Sequence, residues 1–119
     1  MDPGKLPAGI NSGVKDSLYN GDLDMYVFAI ESFTSNAPNS IAVLRHVTAE
    51  NLEDYKNNVH ALKSMAGAIG AESIGAAAAK LEMLSKSGDL SGILAENSVF
   101  LSRTENLVTE LKNWLKANG

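Results

Sequence analysis

The sequence predicts an all-α fold: an up-down antiparallel four-helix bundle with a short extra N-terminal helix. Three observations predict it. Strand signals are nearly absent, and Ala, Leu, Lys, Glu and Met fill segments whose apolar residues recur every three and four positions. The turns between those segments are short, which makes consecutive helices antiparallel neighbours. At 119 residues, with 45% hydrophobic and 20% charged side chains, the chain is one globular domain with room for a single core.

The lead MDPGKLPAG, residues 1–9, holds two of the three prolines and two glycines, and reads as a flexible lead or linker ahead of a domain at 10–118. Ser12 is the expected N-cap of a short helix from Val14 to Tyr19. Asn20, Gly21 and Asp22 then end that helix and cap the next. From Asp22 onward, Tyr26, Ile30, Phe33, Ala37, Ile41 and Leu44 keep one helical stripe; Pro38 should kink or restart the helix, and the stripe is read as one bent helix. Thr48 with Glu50 opens a helix to about Ile69, and the turn at Gly70 leads into a helix ending near Lys86. Asp89 caps a long last helix. Its Leu90, Ile93, Leu94, Phe100, Leu101, Leu107, Val108, Leu111, Trp114 and Leu115 repeat close to a heptad, and Asn97 and Thr104 interrupt that seam on its polar side, at positions where a wholly apolar coiled coil would carry Leu or Ile.

Composition excludes several function classes. A net charge of -4 with ten scattered Lys and Arg residues argues against nucleic acid as a partner. Without cysteine there is no disulfide, thiolate metal site or cysteine nucleophile, and no metal-ligand spacing or phosphate-binding loop occurs. No cofactor and no metal are therefore expected. No apolar run approaches the ~20 residues of a membrane helix, and the start lacks the apolar centre of a signal peptide, so a cytoplasmic setting without direct membrane contact is expected.

The stretch VHALKSMAGAIGA, residues 59–71, sets a histidine and a lysine among small residues. At about 100° per residue, with His60 at zero, Met65, Ile69, Leu62 and Tyr55 fall at about 140° to 220°, opposite the histidine. Lys63, Gly67 and Ser64 share the histidine's side, at about 300°, 340° and 40°. His60 is therefore expected outside the core. A glycine inside a helix costs about 0.8–1 kcal/mol relative to alanine, so Gly67 on that open face suggests that something large approaches closely. A neutral imidazole is a nucleophile near neutral pH, a phosphoryl group on its nitrogen stays transferable, and a neighbouring ammonium offers charge to phosphoryl oxygens. His46, before a turn, reads as surface decoration, and Trp114 and the methionines read as core.

Residues 60–71, HALKSMAGAIGA, resemble the H-x-L-K-G-x-[AS]-x-x-[ILV]-G-A signature of histidine-containing phosphotransfer (HPt) domains, the relay modules of two-component phosphorelays. GINSGVKDSLYNGDLDMYVFAIESF, residues 9–33, is similar to the family's opening, and AAAKLE, residues 77–82, to the end of its following helix. The resemblance implies His60 as the phosphoacceptor, Lys63 as charge support for the phosphoryl group and Gly67 as the small residue that leaves room for the partner. It places Glu82 as a neighbour that orients the imidazole and leaves Nε2 free. Ser64 stands where glycine is common, which implies altered partner preference.

The implied partners are receiver domains of response regulators or hybrid sensor kinases, which would supply Mg²⁺ and an acidic pocket. The domain itself would carry no ATP site and act as a monomer. The implied settings are a free-standing relay protein or the C-terminal domain of a hybrid sensor kinase. The alternatives are the phosphoaccepting substrate domain of a chemotaxis-type kinase and a degenerate helical binding module.

Overall fold

A computed structural model describes residues 6, 7, 9–11 and 13–118. They form α1 (Val14–Tyr19), α2 (Leu23–Leu44), a single 3-10 turn (Ala49–Asn51), α3 (Leu52–Ile69), α4 (Glu72–Lys86) and α5 (Leu90–Asn118). The four long helices close a ring in which α3 packs on α2 and α4, and α5 packs on the same two helices from the other side. The fold is the predicted all-α bundle with a short helix ahead of it. No helix among the described residues is long and apolar enough to cross a membrane.

Local chemistry sets most of the boundaries. Asn20 adopts the left-handed conformation at φ 52° and stops α1, and the Asp22 side chain accepts from the Met25 amide at 3.1 Å to start α2. Ser12, the expected cap of α1, lies outside the described residues. Every residue of the α2 stripe is buried, from Tyr26 through Ile30, Phe33, Ala37 and Ile41 to Leu44. As expected of one helix, α2 runs on through Pro38. The proline sits on the exposed face and deprives only the Thr34 carbonyl of its amide donor, a loss outweighed by the packed stripe on the other face. The opening of α3 also differs in its partner. Thr48 forms a capping box with Asn51, not with Glu50, and the Asn51 side chain accepts from the Thr48 amide at 2.7 Å.

In α5, Asp89 caps as expected, its side chain accepting from the Gly92 amide at 2.9 Å. Ile93, Phe100, Leu107 and Trp114 occupy one heptad position and Asn97, Thr104 and Leu111 the other, and all seven are buried. Asn97 and Thr104 thus occupy the seam positions where a wholly apolar coiled coil would carry Leu or Ile. Thr104 donates to the Phe100 carbonyl at 2.8 Å, while Asn97 accepts from the Tyr55 hydroxyl at 2.7 Å and donates to the Leu44 carbonyl at 2.9 Å. Leu94 leaves the seam and is exposed, lining a cleft with Val47 and Leu101, because a straight helix drifts from a strict heptad.

Tyr55→Phe strands the Asn97 side-chain oxygen in the core, so we expect it to cost about 1–3 kcal/mol. A lower urea midpoint at unchanged denaturant slope checks this.

The lead also makes contact. Leu6 and Ile10 are half buried and pack against the core, and Ile10 forms an isolated antiparallel bridge with Ala71.

Candidate functional site

His60 sits on the outer face of α3, with its side chain 57% exposed. The core stripe of that helix, Tyr55, Val59, Leu62, Ala66 and Ile69, points inward and leaves the histidine outside. The hairpin at Gly70 lays α4 beside this face. Gly70 closes α3 at φ 82°, and the Ala71 amide returns to the Ala66 carbonyl at 2.9 Å. His60 and Glu82 each lie eleven positions from Ala71, so the antiparallel hairpin brings them level.

The Glu82 side chain is 9% exposed and serves two partners. Oε2 is 2.7 Å from His60 Nδ1, and Oε1 accepts from Lys63 Nζ at 2.5 Å. The Lys63 ammonium, followed by the His60 hydrogen bond, holds the Glu82 carboxyl below its ordinary value of 4.5, against the opposing effect of burial. An ionised carboxylate only accepts, so Nδ1 is the donating nitrogen, and a neutral imidazole keeps its free lone pair on Nε2.

A depressed native pKa means that the unfolded chain binds the proton more readily. The stability from Glu82 is thus present above about pH 4.5 and lost as pH falls through the lowered native value. For Glu82→Gln, the deficit in urea midpoint relative to the parent should accordingly shrink as pH is lowered past that point. An undiminished deficit at low pH would contradict the charge argument.

The other site residues share the open face. Ser64 and Gly67 are exposed, and a Cβ built at Gly67 meets no atom within 4 Å. Packing within the bundle therefore does not require glycine there. Lys63, 35% exposed, leans toward α4 and reaches Glu82. His46 is exposed; its backbone amide donates to the Val43 carbonyl at 3.4 Å and its carbonyl accepts from Asn51 Nδ2 at 2.6 Å. Trp114 is buried in the core. Among the described residues no group of three or more His, Asp or Glu side chains is placed to hold a metal ion.

Three residues to which the sequence reading gives no part in the site support this helix. The Tyr19 hydroxyl donates to the Ala68 carbonyl at 2.8 Å, the Tyr26 hydroxyl to the Ile69 carbonyl at 3.0 Å, and the Asn11 amide to the Gly70 carbonyl at 2.8 Å. The left-handed Gly70 turn was a signal that a helix ends there, but nothing local says which distant donors meet its carbonyls.

A family model described as Hpt domain matches residues 29–117. That span includes His60, Lys63, Ser64, Gly67 and Glu82, and leaves α1 and the first turns of α2 outside it. No curated protein and no solved structure matches the chain.

Proposed function

Because the chain belongs to the Hpt domain family, whose domains perform histidine phosphotransfer in two-component signalling, we propose that His60 is its phosphoaccepting residue. The observation that carries this reading is the His60 Nδ1 contact with a nearly buried, ionised Glu82 on an otherwise open helix face.

Nε2 attacks the phosphorus of an aspartyl phosphate on a receiver domain. The N–P bond forms as the P–O bond to the aspartate breaks, and the aspartate leaves as a carboxylate. The imidazole keeps its Nδ1 proton and becomes a phosphoimidazolium, whose positive charge faces Glu82. Attack on phosphorus by a second receiver's aspartate reverses these steps and frees the neutral ring. Lys63 supplies positive charge beside the phosphoryl oxygens, and Glu82 orients the ring and fixes its tautomer. Ser64 and Gly67 form the docking face. In this reading the domain works as a monomer in the cytoplasm, either free-standing or as the C-terminal domain of a hybrid sensor kinase.

Incubation with a panel of radiolabelled phospho-receiver domains tests the assignment. Acid-labile, base-stable label is expected on the wild-type chain. Label arriving only from a kinase catalytic domain with ATP would instead make this a kinase substrate domain.

A further inference from the structure

An α-helix ends with carbonyls that have no partner within it. At the end of α3, five consecutive carbonyls are all satisfied. The Ala71 amide meets Ala66 and the Gly70 amide meets Gly67, which is the local closure expected of a left-handed glycine. Tyr19, Tyr26 and Asn11 meet the next three, Ala68, Ile69 and Gly70. All three donors precede residue 29 and so lie outside the matched family span. Asn11 is tied down further, its side chain donating to Glu72 Oε1 at 2.8 Å on the first turn of α4. The fit is close, because a Cβ at Gly70 would overlap the Asn11 carbonyl oxygen.

These donors are not equally secure. Tyr26 is wholly buried in α2. By contrast, α1 contains no buried residue, Tyr19 and Ile10 are half buried, and Asn11 is exposed. Segments with little buried apolar surface open at a lower free energy than the core does. The outer part of this cap can therefore detach while the bundle stays folded.

We propose that Ile10, Asn11 and Tyr19 form a releasable strap on the end of α3, and that releasing it loosens the Gly67 end of the His60 helix and slows phosphoryl exchange. The contacts among His60, Lys63 and Glu82 are untouched by release. What changes is the surface presented to the partner, since a loosened last turn must be ordered again on docking, and that ordering opposes association. The effect on exchange rests on the assignment of His60 as phosphoacceptor. The strap itself does not.

The test uses the full chain carrying Ile10→Asp with Tyr19→Phe, and Tyr19→Phe alone as the milder variant. Hydrogen exchange is followed by mass spectrometry alongside transfer of label from a phospho-receiver. Amides at 68–71 are expected to exchange about tenfold faster in the double variant, a change on the scale of one lost hydrogen bond, while those of α5 keep the parental rate. The receiver concentration at half-maximal transfer should rise several-fold, with the final extent of His60 labelling unchanged. Tyr19→Phe should show the same pattern at smaller amplitude.

Unchanged exchange at 68–71 in both variants would overturn the strap. Faster exchange there with unaltered transfer would overturn its regulatory role, and acceleration spread equally through α5 would show unfolding in place of release. Should the wild-type chain take label from no receiver, the phosphoacceptor assignment fails, yet the exchange comparison still decides whether the strap exists.

Discussion

His60→Gln is expected to take no label from any phospho-receiver while keeping the parental helicity and a stability within about 0.5 kcal/mol of the wild type. Chemistry and structure give this result separately. An amide nitrogen has no lone pair available for attack on phosphorus, so the nucleophile is gone. The side chain lies outside the core, so no cavity is opened. A glutamine amide also offers donors in place of Nδ1, which spares the nearly buried Glu82 carboxylate the full cost of a lost partner. Autoradiography with circular dichroism on the same samples checks both halves. Label persisting on the variant would move the acceptor elsewhere, with His46, the other histidine, tested first.

The pair Gly67→Ala and Gly67→Arg separates what this position does for the helix from what it does for the partner. Nothing lies within 4 Å of a Cβ at Gly67, so alanine fits without a clash and should raise stability by about 0.8–1 kcal/mol through helix propensity alone. Arginine should also fold, since its side chain extends into solvent. On the proposed docking face, however, it adds bulk and charge a turn or two from His60, and transfer from a phospho-receiver should fall by at least about 100-fold, as for a steric block at the centre of an interface. Stopped-flow or quench measurements give the rate, and thermal unfolding gives the stability. An arginine variant that transfers at the parental rate would remove Gly67 from the docking face.

Much of this architecture was legible because helical periodicity encodes burial directly. The α2 stripe from Tyr26 to Leu44 and the placement of His60 opposite Leu62 and Ile69 both follow from 3.6 residues per turn. Asn97 and Thr104 were legible as polar residues at the seam position that Leu111 shares, but the partners of their polar groups are met only in the folded bundle. The single helix expected across Pro38 holds because the proline's local penalty is smaller than the burial of the stripe around it. Glu82 came from resemblance alone, although its equal distance with His60 from the hairpin was available in the sequence. Tyr19, Tyr26 and Asn11 had no such signal. Their partners are backbone carbonyls more than forty positions away, and no side-chain pattern marks a carbonyl.

The Asn97 contacts also bear on how the helices choose their alignment. An apolar seam with a seven-residue repeat fits its neighbours nearly as well after α5 slides by one heptad, about 10.5 Å along its axis. Such a slide would bring Thr104 or Leu90 opposite the Tyr55 hydroxyl and the Leu44 carbonyl. Thr104 already donates its hydroxyl proton to Phe100, so the shifted bundle would leave buried polar groups unanswered at about 1–3 kcal/mol each. Each such penalty disfavours the slipped alignment by about a factor of ten. The leucines make α5 stick to the bundle, and the asparagine tells it where to stop.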